Sequence, residues 1–160
     1  MRGEMRRLLP VLICFAAACG SETEEEAAAG SRMTEEQALA ARHACAAEEL
    51  VKTAEDDLAT IEQGFASGVA PEGLTTFARA YLQHARLRYV AYSQQDSAVN
   101  HSTSPEDSAR HAQTANRIQI VPPAEGTMEA NVINSYSQKA SAILADADHP
   151  CNWKHELTKG

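Results

Sequence analysis

TEEQALAARHACAAEELVKTAEDDLATIEQGFASG, residues 34–68, decides the fold. Thr34 offers a hydroxyl to the free amides of a helix start, and Gln37 can reach back to it as a capping box. Leu39, His43, Ala46, Leu50, Ala54, Leu58, Ile61 and Phe65 then recur at steps of three and four, which is one stripe of a 3.6-residue helix. The helix stops near Gly64 or Gly68 and is roughly 45 Å long at 1.5 Å per residue.

Working outward, APEGL opens a second helix with Pro71 near its first turn. Leu74, Phe77, Ala78, Tyr81, Ala85, Tyr89 and Tyr92 form its stripe, which fades by Asn100. Ser104 then caps a short third helix, with Pro105 at its first position and Glu106 and Asp107 against the positive end of its dipole. Pro122 and Pro123 end it. A fourth begins near Thr127, with Met128, Val132, Tyr136, Ala140, Ile143 and Ala147 on one face. β-branched residues are sparse and nowhere alternate, so no strand competes. Four helices with short connections predict an all-α, up-down four-helix bundle occupying residues 34–160. Aromatics are only 5% of the chain, so its core depends on close packing of small side chains.

The N-terminus carries a different signal. MRGEMRR is followed by LLPVLICFAAAC, a basic segment with Arg2, Arg6 and Arg7 and then an apolar run from Leu8 to Ala18. A bilayer-spanning helix needs about 20 apolar residues, and this run is shorter and contains Pro10. Ala16, Ala17 and Ala18 precede Cys19, and the segment resembles the lipobox of bacterial lipoproteins, although Ala16 stands where Leu is usual and the bulky Phe15 lies one step further out. The resemblance implies cleavage of residues 1–18 as a signal peptide and diacylglycerol on Cys19. Residues 19–33, rich in glutamate, alanine and glycine, read as a solvated tether with a reach of roughly 20 Å.

Cysteine parity supports this reading. Cys14 leaves with the signal, and lipidation of Cys19 leaves Cys45 and Cys151 as one pair. An ordinary secretory signal cut at the same alanines would leave three thiols in an oxidising compartment. In an up-down bundle the start of helix one and the end of helix four share an end, so a Cys45–Cys151 bridge ties the C-terminal tail to helix one. Trp153 is then expected to cover the face bearing Ala38 and Ala41.

Residues 1–18 hold three arginines and one glutamate of a chain whose formal net charge is −8, so the mature 142-residue chain stands at −10. That surface disfavours nucleic acid and anionic head groups. Membrane attachment therefore falls to the acyl chains, and the expected partner is an envelope protein or a cell-wall component. Gly20 and Ser21 stand where an aspartate resembles an inner-membrane retention signal in some Gram-negative bacteria. In such an organism the expected address is the outer membrane, facing the periplasm.

Catalytic signatures are missing: the chain has no HExxH, CxxC, phosphate loop or GxSxG. GFASG at 64–68 has its serine out of register with a nucleophile elbow and follows a helix. Glu48 with Glu49, and Glu55 with Asp56 and Asp57, read as a solvated face, and the expectation is a non-enzymatic protein without a cofactor. Tyr81, His84, Arg88, Tyr89 and Tyr92 on helix two read as core, or as a groove for a polar ligand. The bundle order also brings His43, His101, His149 and His155 toward one end, where imidazoles with Asp146 or Asp148 could hold copper, nickel or zinc. Solvated or core histidines are the plainer reading of the same residues. The sequence thus predicts a lipid-anchored interaction or structural module, with a metal-binding lipoprotein as the alternative.

Overall fold

A computed structural model describes residues 33–118 and 123–153. Four helices run in the expected order: α1 (Glu35–Ala66), α2 (Glu72–Asp96), α3 (Pro105–Arg117) and α4 (Met128–Ala145), followed by the short α5 (Pro150–Trp153). A π-helical turn, Ser97–His101, continues α2. The fold is all-α, and a disulfide joins the first helix to the C-terminal tail.

The helix ends follow local chemistry. The Thr34 hydroxyl accepts from the Gln37 amide at 3.2 Å and the Gln37 side chain accepts from the Thr34 amide at 2.8 Å, completing the capping box. At the other end the amide of Val69 donates to the Gly64 carbonyl at 2.8 Å while Gly68 turns the chain at φ +76°, a conformation that favours glycine. Ser104 and Thr127 cap α3 and α4 through their side chains. Pro71 occupies the N-cap of α2 and makes no side-chain cap.

Leu50 and Ala54 of α1, Tyr81, Leu82 and Ala85 of α2, and Val132 and Tyr136 of α4 form the core, with Phe77, Ala140 and Ile143 packed against it. The short α3 buries none of its residues and lies back along the end of α2, where the Ser108 hydroxyl donates to the Ala98 carbonyl and His111 bonds Gln94. Ala46, Ala47 and Ala85 are buried, and side chains this small let the helices approach closely.

Several members of the expected stripes lie elsewhere. Leu39 is 50% exposed, Phe65 48%, Leu74 43% and Met128 38%. All four lie toward helix ends, where a straight 3.6-residue helix rotates its stripe away from a neighbour it touches at mid-length. Near the start of α1 the buried face is Ala38, Ala40 and Ala41. On α2, Leu82 and His84 are buried, and Leu74 is not. Ala147 falls in the turn after α4 and is exposed.

The ends of the chain are joined by more than sulfur. Cys45 and Cys151 are bonded across 106 residues with their Cα atoms 5.5 Å apart. Beside them, Arg42 Nε donates to Asn152 Oδ1 at 2.9 Å and Arg42 Nη2 donates to the Leu144 carbonyl at 3.0 Å. Asn152 Nδ2 donates to the carbonyls of Ile143 and Asp146 at 2.7 and 2.5 Å. Carbonyls at the end of α4 have no partners within the helix, and these two side chains supply them. Residues 1–32, with Cys19 and most of the expected tether, lie outside the described residues, as do His155 and the side chain of Trp153.

Candidate functional site

His84, Arg88 and Tyr92 follow one another at intervals of four on α2, so they share a face. α1 and α4 cross that face, bringing His43 and Tyr136 to it. The result is a cleft of about 170 Å³ walled by His43, Arg88, Tyr92 and Tyr136, with small residues such as Ala46 and Ala140 in its lining.

Aromatic contacts order the cleft. His43 stacks on Tyr92 with ring centroids 5.1 Å apart and planes 21° apart. His84 meets Tyr136 edge-on at 5.1 Å. Arg88 Nε donates to His84 Nε2 at 3.4 Å, a contact that requires this nitrogen to carry a lone pair. Burial lowers the pKa of His84, and the Arg88 guanidinium lowers it further, which favours that neutral form. His43 is lowered by burial and then by Arg42. At neutral pH the cleft therefore presents Arg88 as its positive charge beside two neutral imidazoles.

Tyr136 is 3% exposed and its hydroxyl has no hydrogen-bond partner among the described residues. Burial, with the neighbouring Tyr92 adding to it, raises its pKa strongly, so the phenol keeps its proton and remains a donor. Arg88 makes no ion pair among the described residues, whereas Arg79 and Arg86 bond Glu62 and Glu55. Tyr81 is different: it is in the core beside Phe77 and Tyr136, under the Lys139 ammonium at 5.0 Å, and its pKa is pushed up to about 12 by burial and Asp57.

Of the groove expected on α2, then, His84, Arg88 and Tyr92 come together, Tyr81 packs in the core, and Tyr89 is half-buried outside the cleft lining. By their spacing His43 and Tyr136 fall on core stripes. Their part in the cleft depends on which levels of three helices coincide, which periodicity along one helix cannot report.

The histidines expected at one end have separate partners. His43 belongs to the cleft, His101 Nε2 lies 3.3 Å from Asp96, and His149 Nδ1 accepts from the Cys151 amide at 3.2 Å. Asp146 accepts from the Asp148 amide and so closes a local turn. Among the described residues no three His, Cys, Asp or Glu side chains form a group that could hold a metal. His155, the fourth residue of the expected copper, nickel or zinc site, lies outside the described residues. His111 of α3, absent from every expected cluster, bonds Gln94 of α2 at 2.7 Å.

The acidic clusters of α1 lie at the surface, with Glu48 and Glu49 beside Lys52, Glu55 beside Arg86 and Asp57 beside Lys139. Such pairs contribute little to stability. Comparison with known proteins finds no matching family model, no matching curated protein and no matching solved structure.

Proposed function

We propose that this chain is a lipid-anchored helical-bundle protein of the cell envelope that acts by holding a partner and not by catalysing a reaction. The observation that carries the reading is the Cys45–Cys151 bridge. Disulfides persist in exported proteins and are rare in the reducing cytosol, which agrees with the lipobox-like segment ending at Cys19. The bridge lies in the first half of α1, the part of the helix that follows the expected tether in sequence. A 32-residue helix spans about 48 Å.

Support for a binding role comes from the sides of the hairpin. Leu58, Leu82, Leu87 and Val90 line an open apolar groove between α1 and α2, bordered by Arg79 and Arg86. Leu87 is 45% exposed and Val90 43%, a pattern suited to contact with an envelope protein or a cell-wall component. In a Gram-negative organism Gly20 and Ser21 after Cys19 favour the outer membrane, facing the periplasm. Changing Cys19 to Ser should move the protein from the membrane fraction to the soluble periplasmic or secreted fraction. Continued fractionation of that variant with membranes would remove the anchor from the account.

A further inference from the structure

We propose that the cleft between α1, α2 and α4 binds a small organic carboxylate, with Arg88 as the charged contact and the His43–Tyr92 stack as the wall against which the ligand's apolar body lies. The cleft has a surplus of donors. Arg88 spends Nε on His84 and makes no ion pair among the described residues, and the Tyr136 hydroxyl is buried without a partner. Ser137 and Ser141 add hydroxyls at the rim, and no carboxylate lines the cleft. In a domain with formal net charge −10 after residue 18, Arg88 differs from Arg79 and Arg86, which line the α1–α2 groove but are each paired with a glutamate. A group supplying two acceptor oxygens and one negative charge complements it, since the planar guanidinium fork matches a carboxylate.

Size and polarity narrow the ligand class. A cavity of about 150 Å³ admits a benzene ring, and this cleft measures about 170 Å³. Ala46, Ala47, Ala140 and Leu144 give it an apolar side that suits a ring or a short aliphatic chain. Inorganic phosphate would bring a second negative charge for which the cleft holds no second cation at neutral pH, because burial keeps the His43 imidazole neutral. The reading does not depend on how the chain is anchored, and failure of the Cys19→Ser test would leave it standing.

Benzoate, its uncharged analogue benzamide and inorganic phosphate are the probes. Each is titrated into the exported, disulfide-linked protein in detergent, with binding followed by calorimetry and by shifts of the His43, Tyr92 and Tyr136 resonances. Benzoate should bind at least about tenfold more tightly than benzamide or phosphate, as a charge-assisted contact requires. Arg88→Met should remove that preference. Ser141→Phe, at an exposed rim position, should block the cleft without touching Arg88, and thermal unfolding of both variants checks that they remain folded. Equal binding of benzoate and benzamide, tighter binding of phosphate, or benzoate binding unchanged in folded Ser141→Phe would overturn the proposal.

Discussion

The two ends of α1 are held in different ways. At its start, partners distant in sequence converge: Cys45 with Cys151, Arg42 with Asn152 and the last carbonyls of α4, and Asn100 Nδ2 donating to the Gln37 carbonyl at 3.0 Å. At its other end the chain reverses through residues 64–70 by local backbone bonds and a positive-φ glycine, leaving Val69 82% exposed. The first end is stitched through the tertiary structure, and the second needs little beyond its own sequence. The difference locates stability near the tether and leaves the far turn tolerant of change.

The strongest way to break the comparison is to remove the bridge. Cys45→Ala with Cys151→Ala should cost up to about 4–5 kcal/mol on the chain-entropy account of a loop of this length, read from urea unfolding. Asn152→Ala should be the next most damaging change. It leaves the carbonyl of Ile143 and the Nε of Arg42 without their partner and takes one of two donors from the Asp146 carbonyl, which keeps the His149 amide, for a loss of about 2 kcal/mol in the same measurement. At the opposite end Gly68→Ala should cost about 1 kcal/mol, because φ at this position is +76° although nothing lies within 4 Å of an added Cβ. Val69→Ser should stay within about 0.5 kcal/mol of the parent, as expected for a surface position. A larger loss from Val69→Ser than from Asn152→Ala would invert the picture.

A pH dependence sharpens the contrast further. His43 lies two residues from Cys45, and its folded pKa is below the ordinary 6.5, as is that of His84 on α2. The unfolded chain then binds protons more readily than the folded one, so stability is full above about 6.5 and declines as pH falls through that value toward the folded pKa. His43→Gln should flatten part of this decline in unfolding curves collected between about pH 7.5 and 5. An unchanged slope would mean that His43 does not carry it.

What could be read in advance follows the same division. Thr34 and Ser104 announced their caps, because capping chemistry acts within four residues, whereas the end of α1 was legible only as near Gly64 or Gly68 and the start of α4 only as near Thr127. The Cys45–Cys151 pair was legible from parity combined with bundle order. Arg42 and Asn152 were not, since a side chain that caps another element's carbonyls leaves no periodic trace. Leu39 and Phe65 fitted the α1 stripe yet are half exposed near its ends, where at the start the buried face is Ala38, Ala40 and Ala41. His84, set beside the tyrosines as a groove residue, is buried against Tyr136, and His43 gained its role only when Tyr92 arrived from another helix.

The central claim is that this is an exported bundle whose first helix and tail are covalently locked. Peptide mapping without reduction, on protein taken directly from the cell envelope with free thiols blocked at lysis, tests it most directly. The account predicts a single linked peptide pair containing Cys45 and Cys151. Recovery of both as blocked free thiols would contradict the lock and the oxidising address together.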